Sequence, residues 1–268
     1  MATLVNRFGF ILFSQFGPQA SDLLGIPDGG AFTPGSASVI LVPGETYSFY
    51  LAMPAGLAFD NGDIDLVTAE GLSLVLPAIG TLADLAVGPG VLHFIPQISI
   101  PAGTLLPEVY YRLRLNVAGG NTLFSNRLWL RRSGYEQTSA LFSYRNRSAI
   151  GPIAYDLPAM SDFRNVLRLK CEAGLPQTES ESEEYEQITT GMKVPVSLRS
   201  HLALPFVCPR TDAIGHEGWR TLLLHKDIQI NGRAVSVKTQ YSDGESGLGI
   251  SDGSFQVWDS SYAIVNRC

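Results

Sequence analysis

The sequence predicts a mainly β protein, built as two antiparallel β-sandwich-like domains in tandem. The first is immunoglobulin-like and the second carries one short helix. Three observations predict this. From Ser38 onward, short runs of alternating apolar and polar residues recur roughly every ten residues. The runs are punctuated from a supply of 27 glycines and 16 prolines, a composition that suits many turns better than long helices. The stretch from Glu108 to Arg132 reads as one long hairpin. In it Tyr111, Leu113, Leu115 and Val117 alternate with Arg112, Arg114 and Asn116, and Gly119-Gly120-Asn121 lets the chain reverse. On the return strand, Asn126, Leu128 and Leu130 share one face, opposite Arg127 and Trp129.

Residues 1–35 form a Gly/Pro-rich lead-in, with turn-formers at Ile26–Gly30 and Thr33–Gly35. Its apolar residues Phe8, Phe10, Phe13 and Phe16 are read as an arm that contacts a neighbouring subunit or as a first strand buried against the protein itself. The run is too short to span a bilayer and lacks a small-residue cleavage site, so no secretion signal is expected.

Residues 36–132 form the first domain. Strands are expected at Ser38–Val42, at Glu45–Met53 with Tyr47, Phe49 and Leu51 on one face, and at Ile64–Val67, Leu72–Leu76 and Val91–Ile95. One helical turn is expected at Gly80–Leu85. Residues 133–268 form the second domain. Strands are expected at Ser139–Arg145 and at Phe163–Cys171, the latter with Phe163, Asn165, Leu167, Leu169 and Cys171 on one face. Ile188–Leu204 reads as strand, turn at Gly191, strand. A helix is expected over Thr211–His225, with Thr211 as its N-cap and Gly215 and Gly218 weakening it. Asn231-Gly232 marks a tight hairpin between Asp227–Ile230 and Ala234–Val237. A late strand is expected at Gly253–Trp258.

Charged residues make up only 16% of the chain against 45% hydrophobic, so a packed core is expected rather than disorder. A net charge of −6 disfavours direct nucleic-acid binding, which needs basic residues to neutralise phosphates. Cys171, Cys208 and Cys268 have no Cys-x-x-Cys spacing, and an odd count leaves at least one free thiol.

The aspartates of Asp60-Asn-Gly-Asp-Ile-Asp65 place oxygen donors in a short turn. Asp60, Asp63 and Asp65 are weak candidates for a calcium site without the distal glutamate of a full calcium loop. Glu179, Glu181, Glu183, Glu184 and Glu186 form an acidic stretch. It is read either as a solvated edge that deters sheet-to-sheet pairing or as a docking surface for a basic partner. The histidines His93, His201, His216 and His225 lack metal-site spacing, and no Gly-x-Ser-x-Gly elbow accompanies them. Tyr110, Trp129 and Tyr241 could form a sugar-stacking platform, with ordinary core use as the plainer reading. No cofactor is expected and no catalytic residue is assigned.

The order Leu141–Tyr144, Ile153–Asp156, Phe163–Arg168 and Glu181–Tyr185, followed by Leu222–Gly232, resembles β-rich virion proteins of tailed phages that infect Bacteroidota. In those proteins, too, an immunoglobulin-like module ending in a Tyr-rich hairpin precedes this half. The likeness covers residues 95–258. It implies a structural tail or baseplate component that acts through contacts with other copies of itself and other virion proteins. It also implies assembly in the host cytoplasm and residence in the virion. The alternatives are a carbohydrate- or receptor-binding module facing a host-surface glycan and, with less support, a hydrolase.

Overall fold

The structure is a computed structural model that describes residues 9–15, 17, 37–54, 59–69, 80–88, 91–117, 121–150, 153–186, 188–191, 193–244 and 250–267. Among the described residues the fold is mainly β, with one α-helix and a sandwich-like arrangement of antiparallel strands. In the first half the strands are β1 (Phe13–Ser14), β2 (Ile40–Leu41), β3 (Thr46–Ser48), β4 (Leu51–Pro54), β5 (Phe59–Thr68), β6 (Gly80–Gly88), β7 (Val91–Ser99), β8 (Tyr110–Val117), β9 (Asn121–Ser125) and β10 (Leu128–Leu130). β6 lies between β5 and β7. β7 also pairs with β3 and β4. β5 also pairs with β8, which meets β9 and β10.

The chain from Val39 to Ser48 closes this ribbon by changing partners. β2 runs parallel to β10, and after the Pro43-Gly44 turn β3 runs antiparallel to β7. Gly44 makes the switch possible. Its φ of 91° suits a residue without Cβ, and its N–H donates to the Ile100 carbonyl at 2.7 Å. Tyr111 seals the opposite corner by donating from its hydroxyl to the Pro107 carbonyl at 3.2 Å. A tyrosine bonded back to the chain a few residues upstream is a feature of immunoglobulin-like sandwiches.

The second half contains β11 (Ser139–Arg145), β12 (Asn165–Lys170), β13 (Glu172–Ala173), β14 (Gln177–Glu186), β15 (Lys193–Asp212), helix α1 (Ala213–Leu223), β16 (Asp227–Ile230), β17 (Arg233–Asp243) and β18 (Ile250–Arg267). β12, β11, β16, β17, β18 and β15 pair in that order. β13, continuing β12 past Cys171, pairs with β15 and closes the ring. The Asn231-Gly232 turn forms as expected, with φ of 49° and 79°.

The two halves are joined rather than merely adjacent. β12 pairs with β3 at Val166 and Ser48, and Val39 bridges Leu169. One hydrophobic core runs through both, from Phe10 and Tyr47 to Trp219 and Val257. At the seam Arg168, only 9% exposed, grips Glu45, with Nε at 2.9 and 3.1 Å from the two carboxylate oxygens. Glu45 also accepts from the Tyr47 hydroxyl at 2.8 Å, and that hydroxyl accepts from the Val42 amide at 2.7 Å. The other face of the guanidinium lies over the Tyr135 ring. Both charges are thus matched by partners in a partly desolvated place, which makes the geometry of the seam hard to vary.

Several expectations are corrected. Gly80–Leu85 is strand rather than a helical turn, because β5 and β7 flank it and satisfy its backbone. Asp60–Asp65 lies within β5 rather than in a turn. The expected strand Glu45–Met53 is interrupted at Phe49 and Tyr50, although Tyr47, Phe49 and Leu51 are all buried as the alternation required. The helix is capped by Asp212, whose carboxylate accepts from the Gly215 amide at 2.8 Å; the Thr211 hydroxyl donates instead to the Cys208 carbonyl. The late strand extends well beyond Trp258, to Arg267. Leu72–Leu76 lies outside the described residues.

Candidate functional site

The most exposed feature is an arm made of three strands. β15 is 20 residues long and β18 is 18 residues long. Only parts of them are needed to close the ring. The rest, Lys193–Ala203 of β15, pairs with β14 on one side and with the far end of β18 on the other. The ten residues of β14 give the arm a reach of roughly 30 Å. Gln177–Ser180, Glu184–Glu186, Ile188–Gly191, Lys193 and Ser200–Leu202 are all exposed or half-buried.

All five glutamates lie along β14. Glu179, Glu181 and Glu183 sit opposite His201, Arg199 and Ser197. A shift between Glu183 and Glu184 then puts Glu184 and Glu186 opposite Pro195 and Lys193. Two of the glutamates make ion pairs, Glu179 with Lys238 at the base of the arm and Glu184 with Lys193 at 3.8 Å. Residues 177–202 hold five glutamates against one lysine and one arginine, half of the chain's net charge of −6. The arm is also unusually apolar for an exposed element. Of eight large hydrophobic side chains exposed among the described residues, Tyr185, Ile188 and Tyr262 lie on it and Leu175 lies at its base.

Its two edges differ. β14 presents glutamates along one edge, a common defence against unwanted strand pairing. The far end of β18, Ser260-Ser-Tyr-Ala-Ile-Val-Asn266, carries no charge before Arg267, and no described strand pairs with its outer side.

Of the other anticipated interface, the described aromatics face inward. Phe10 and Phe13 are 1% and 0% exposed, packed in the chain's own core. Asn126 holds that segment like a strand partner. Its amide donates to the Phe10 carbonyl at 3.0 Å, and its Oδ1 accepts from the Leu12 amide at 3.0 Å. β1 adds to β9, and the Phe10 ring meets Trp219 edge-on at 5.2 Å. The helix glycines serve this contact: a Cβ on Gly218 would lie 2.6 Å from the Phe10 ring. An apolar run satisfied internally leaves nothing for a neighbour to cover. Phe8 and Phe16 lie outside the described residues.

Asp65 is spoken for by Arg114, whose Nη2 donates to it at 2.5 Å. The side chains of Asp60 and Asp63 are outside the described set, and no group of three or more metal-ligating side chains occurs among the described residues. Tyr110 and Trp129 do meet, at 5.7 Å between ring centroids, but Arg131 covers one face of the indole. Tyr241 is elsewhere, stacked on Trp219. The sugar platform is therefore not assembled.

Two histidines of the second half, His216 and His225, lie in buried rows. His216, 6% exposed, joins the Tyr241 hydroxyl at 2.7 Å (Nδ1) to the Ser251 hydroxyl at 2.9 Å (Nε2). Gly253 leaves room for that phenol, since a Cβ there would overlap it. A hydroxyl beside an imidazole is a nucleophile–base pair in outline. Here the third group is a phenol and the ring is buried, so the row serves to tie α1 to β17 and β18. Burial holds His216 below the usual imidazole range. His225 faces the Thr221 and Leu222 carbonyls with Nδ1, which fixes the proton there. Its Nε2 accepts from Tyr155 at 2.8 Å. Burial lowers its pKa to about 4. Cys171 and Cys208 are free and buried, and burial pushes the Cys171 thiol up to about 12, far from a reactive thiolate.

The acidic stretch was legible in the sequence; the third strand of the arm and its exposed aromatics were not. The signal for them was the β-prone run Tyr262-Ala-Ile-Val265, which continues the alternation past Trp258.

No family model matches the sequence, and no curated protein does. A solved structure of a multidomain protein including DUF1735, from Bacteroides ovatus, aligns over 89% of this chain and 92% of its own, at 9% identity and a TM-score of 0.20. A TM-score of that size bears on neither fold nor function. No helix among the described residues is long and apolar enough to cross a membrane.

Proposed function

We propose that this protein works by contact rather than by chemistry, as a structural subunit that docks to copies of itself or to neighbouring proteins through the β14–β15–β18 arm. The supporting observation is the arm itself: a three-stranded sheet that projects from the body, with five glutamates along β14 and with Tyr185, Ile188 and Tyr262 exposed. Exposed apolar side chains rimmed by like charges are what an interface needs, the first for burial and the second for choosing partners. The resemblance to tail and baseplate proteins of Bacteroidota phages supplies the setting for this reading: a virion component assembled in the host cytoplasm. Phe10 and Phe13 take no part in this docking, because the core consumes them.

Light scattering across a concentration series tests the proposal. The full chain should show a mass of several subunits. The double substitution Tyr185→Ser and Ile188→Ser, at positions 55% and 93% exposed, should lower that mass without changing the unfolding midpoint. A full chain that stays single at every concentration and binds no co-produced partner would overturn it.

A further inference from the structure

The second half holds a cavity unrelated to the arm. Its volume is about 340 Å³, within the range of roughly 300–1,000 Å³ for small-molecule sites. By contrast, a void against Phe10, Tyr50 and Tyr144 measures about 10 Å³, no more than a single water fills. The larger space has an identifiable origin. Along one wall the ring presents short side chains: Ala140 of β11, Cys171 at the crossing from β12 to β13, and Ala173. Facing them are Phe206 of β15, Ile230 of β16 and Val235 of β17. All but Ala173 are at most 6% exposed, so the floor is buried and apolar.

The rim is polar. Ser139 and Asn231 reach it, but both are committed. The Ser139 hydroxyl donates to the Tyr135 carbonyl, and the Asn231 side chain accepts from the Leu141 amide. Glu136 and Arg233 also line the cavity and make no ion pair among the described residues. Arg233 is two residues before Val235 on β17, hence on the same face as a residue of the floor. A guanidinium so placed matches a planar anion.

We propose that this open end of the barrel binds a small amphiphile, with its apolar body against the Phe206–Ile230–Val235 floor and a carboxylate head at Arg233. Glu136 stands on the turn across the mouth and disfavours a second negative charge, so the ligand carries one acid group on a hydrocarbon or aromatic body.

Calorimetric titration of the full chain with decanoate, decanol and decylamine tests this. Decanoate should bind about tenfold more tightly than decanol, the worth of one charge-assisted hydrogen bond, and decylamine should bind most weakly. Arg233→Ala should erase the difference between acid and alcohol. Ala140→Leu should fill the space and abolish binding; if that variant does not fold, Ala173→Leu at the outer wall serves the same purpose. Absence of saturable binding by all three compounds, tightest binding by the amine, or binding that survives filling of the cavity would each overturn the proposal.

Discussion

The strands that pack on Trp219 and the β14–β15–β18 arm are both built from alternating sequence, yet they end in opposite environments. Trp219 is 0% exposed and meets Phe10, Phe142 and Phe255 at ring distances of 5.1–5.2 Å. Tyr185 and Ile188 on the arm are mostly exposed. Alternation sets which residues share a face. Whether that face is covered depends on which other strands arrive there, and in the core the covering pieces come from as far away as Phe10. Stability should therefore be concentrated in the Trp219 region and binding in the arm.

The sharpest test of this division is truncation. Trp219→Ala should cost about 3–5 kcal/mol in chemical denaturation, as removal of a buried aromatic does, whereas Tyr185→Ala should stay within about 0.5 kcal/mol. Trp219→Phe should cost far less than Trp219→Ala, because the indole N–H has no hydrogen-bond partner among the described residues. Equal losses for Tyr185→Ala and Trp219→Ala would erase the distinction.

Next in size is the seam. Arg168→Ala leaves the Glu45 carboxylate without its main partner in a partly buried site and should cost about 3 kcal/mol. The unfolding midpoint of Glu45→Gln with Arg168→Met should lie well above that of Arg168→Ala, since no charge is then stranded.

A third test uses acid. His225 has a folded pKa of about 4, below its unfolded value, so the native state binds fewer protons in that window. Stability is intact above roughly pH 6.5 and falls by about 3 kcal/mol as the pH drops to 4. Asp212 acts in the opposite sense. Burial raises its pKa to about 6, so the folded state gains stability from protonation as the pH falls through that value. Asp212→Asn should therefore lose more stability between pH 7 and 4 than the natural chain. By NMR the His225 ring should remain neutral at pH 5, and titration near pH 6.5 would show that the ring is not sealed in.

The smallest effect is expected for Glu184→Gln, whose side chain is 48% exposed: no measurable change in unfolding, and a change only in how association depends on salt.

How much of this was legible beforehand differs in the same way. The strands Ser139–Arg145 and Asn165–Lys170 and the Asn231-Gly232 hairpin were readable, because period and turn chemistry are local. The buried faces of Tyr111 to Leu115 and of Leu128 and Leu130 were readable for the same reason. Gly80–Leu85 was misread because pairing to β5 and β7 is not written within those six residues. Asn61-Gly62 suggested a reversal, whereas β5 continues through it with a break in its register against β8. The apolar run Phe8–Phe16 announced that something must cover it, but an internal partner and a neighbouring subunit demand the same composition. Asn126, which decides the matter, lies 116 positions from Phe10. The charges at the cavity rim likewise come from Glu136 and Arg233, which only the closed ring brings together.

The exchange between Ser48 and Val166 also has a consequence for how the molecule is made. Strand β3 finds its second neighbour only after more than a hundred further residues have been synthesised, and Tyr50 waits equally long for the side chain of Asn165. Contacts so remote in sequence slow folding, and they leave the early-emerging half with an open seam while the ribosome works. Arrested chains that end before residue 165 should accordingly be sensitive to proteases at β3, and chains extended past β12 should not.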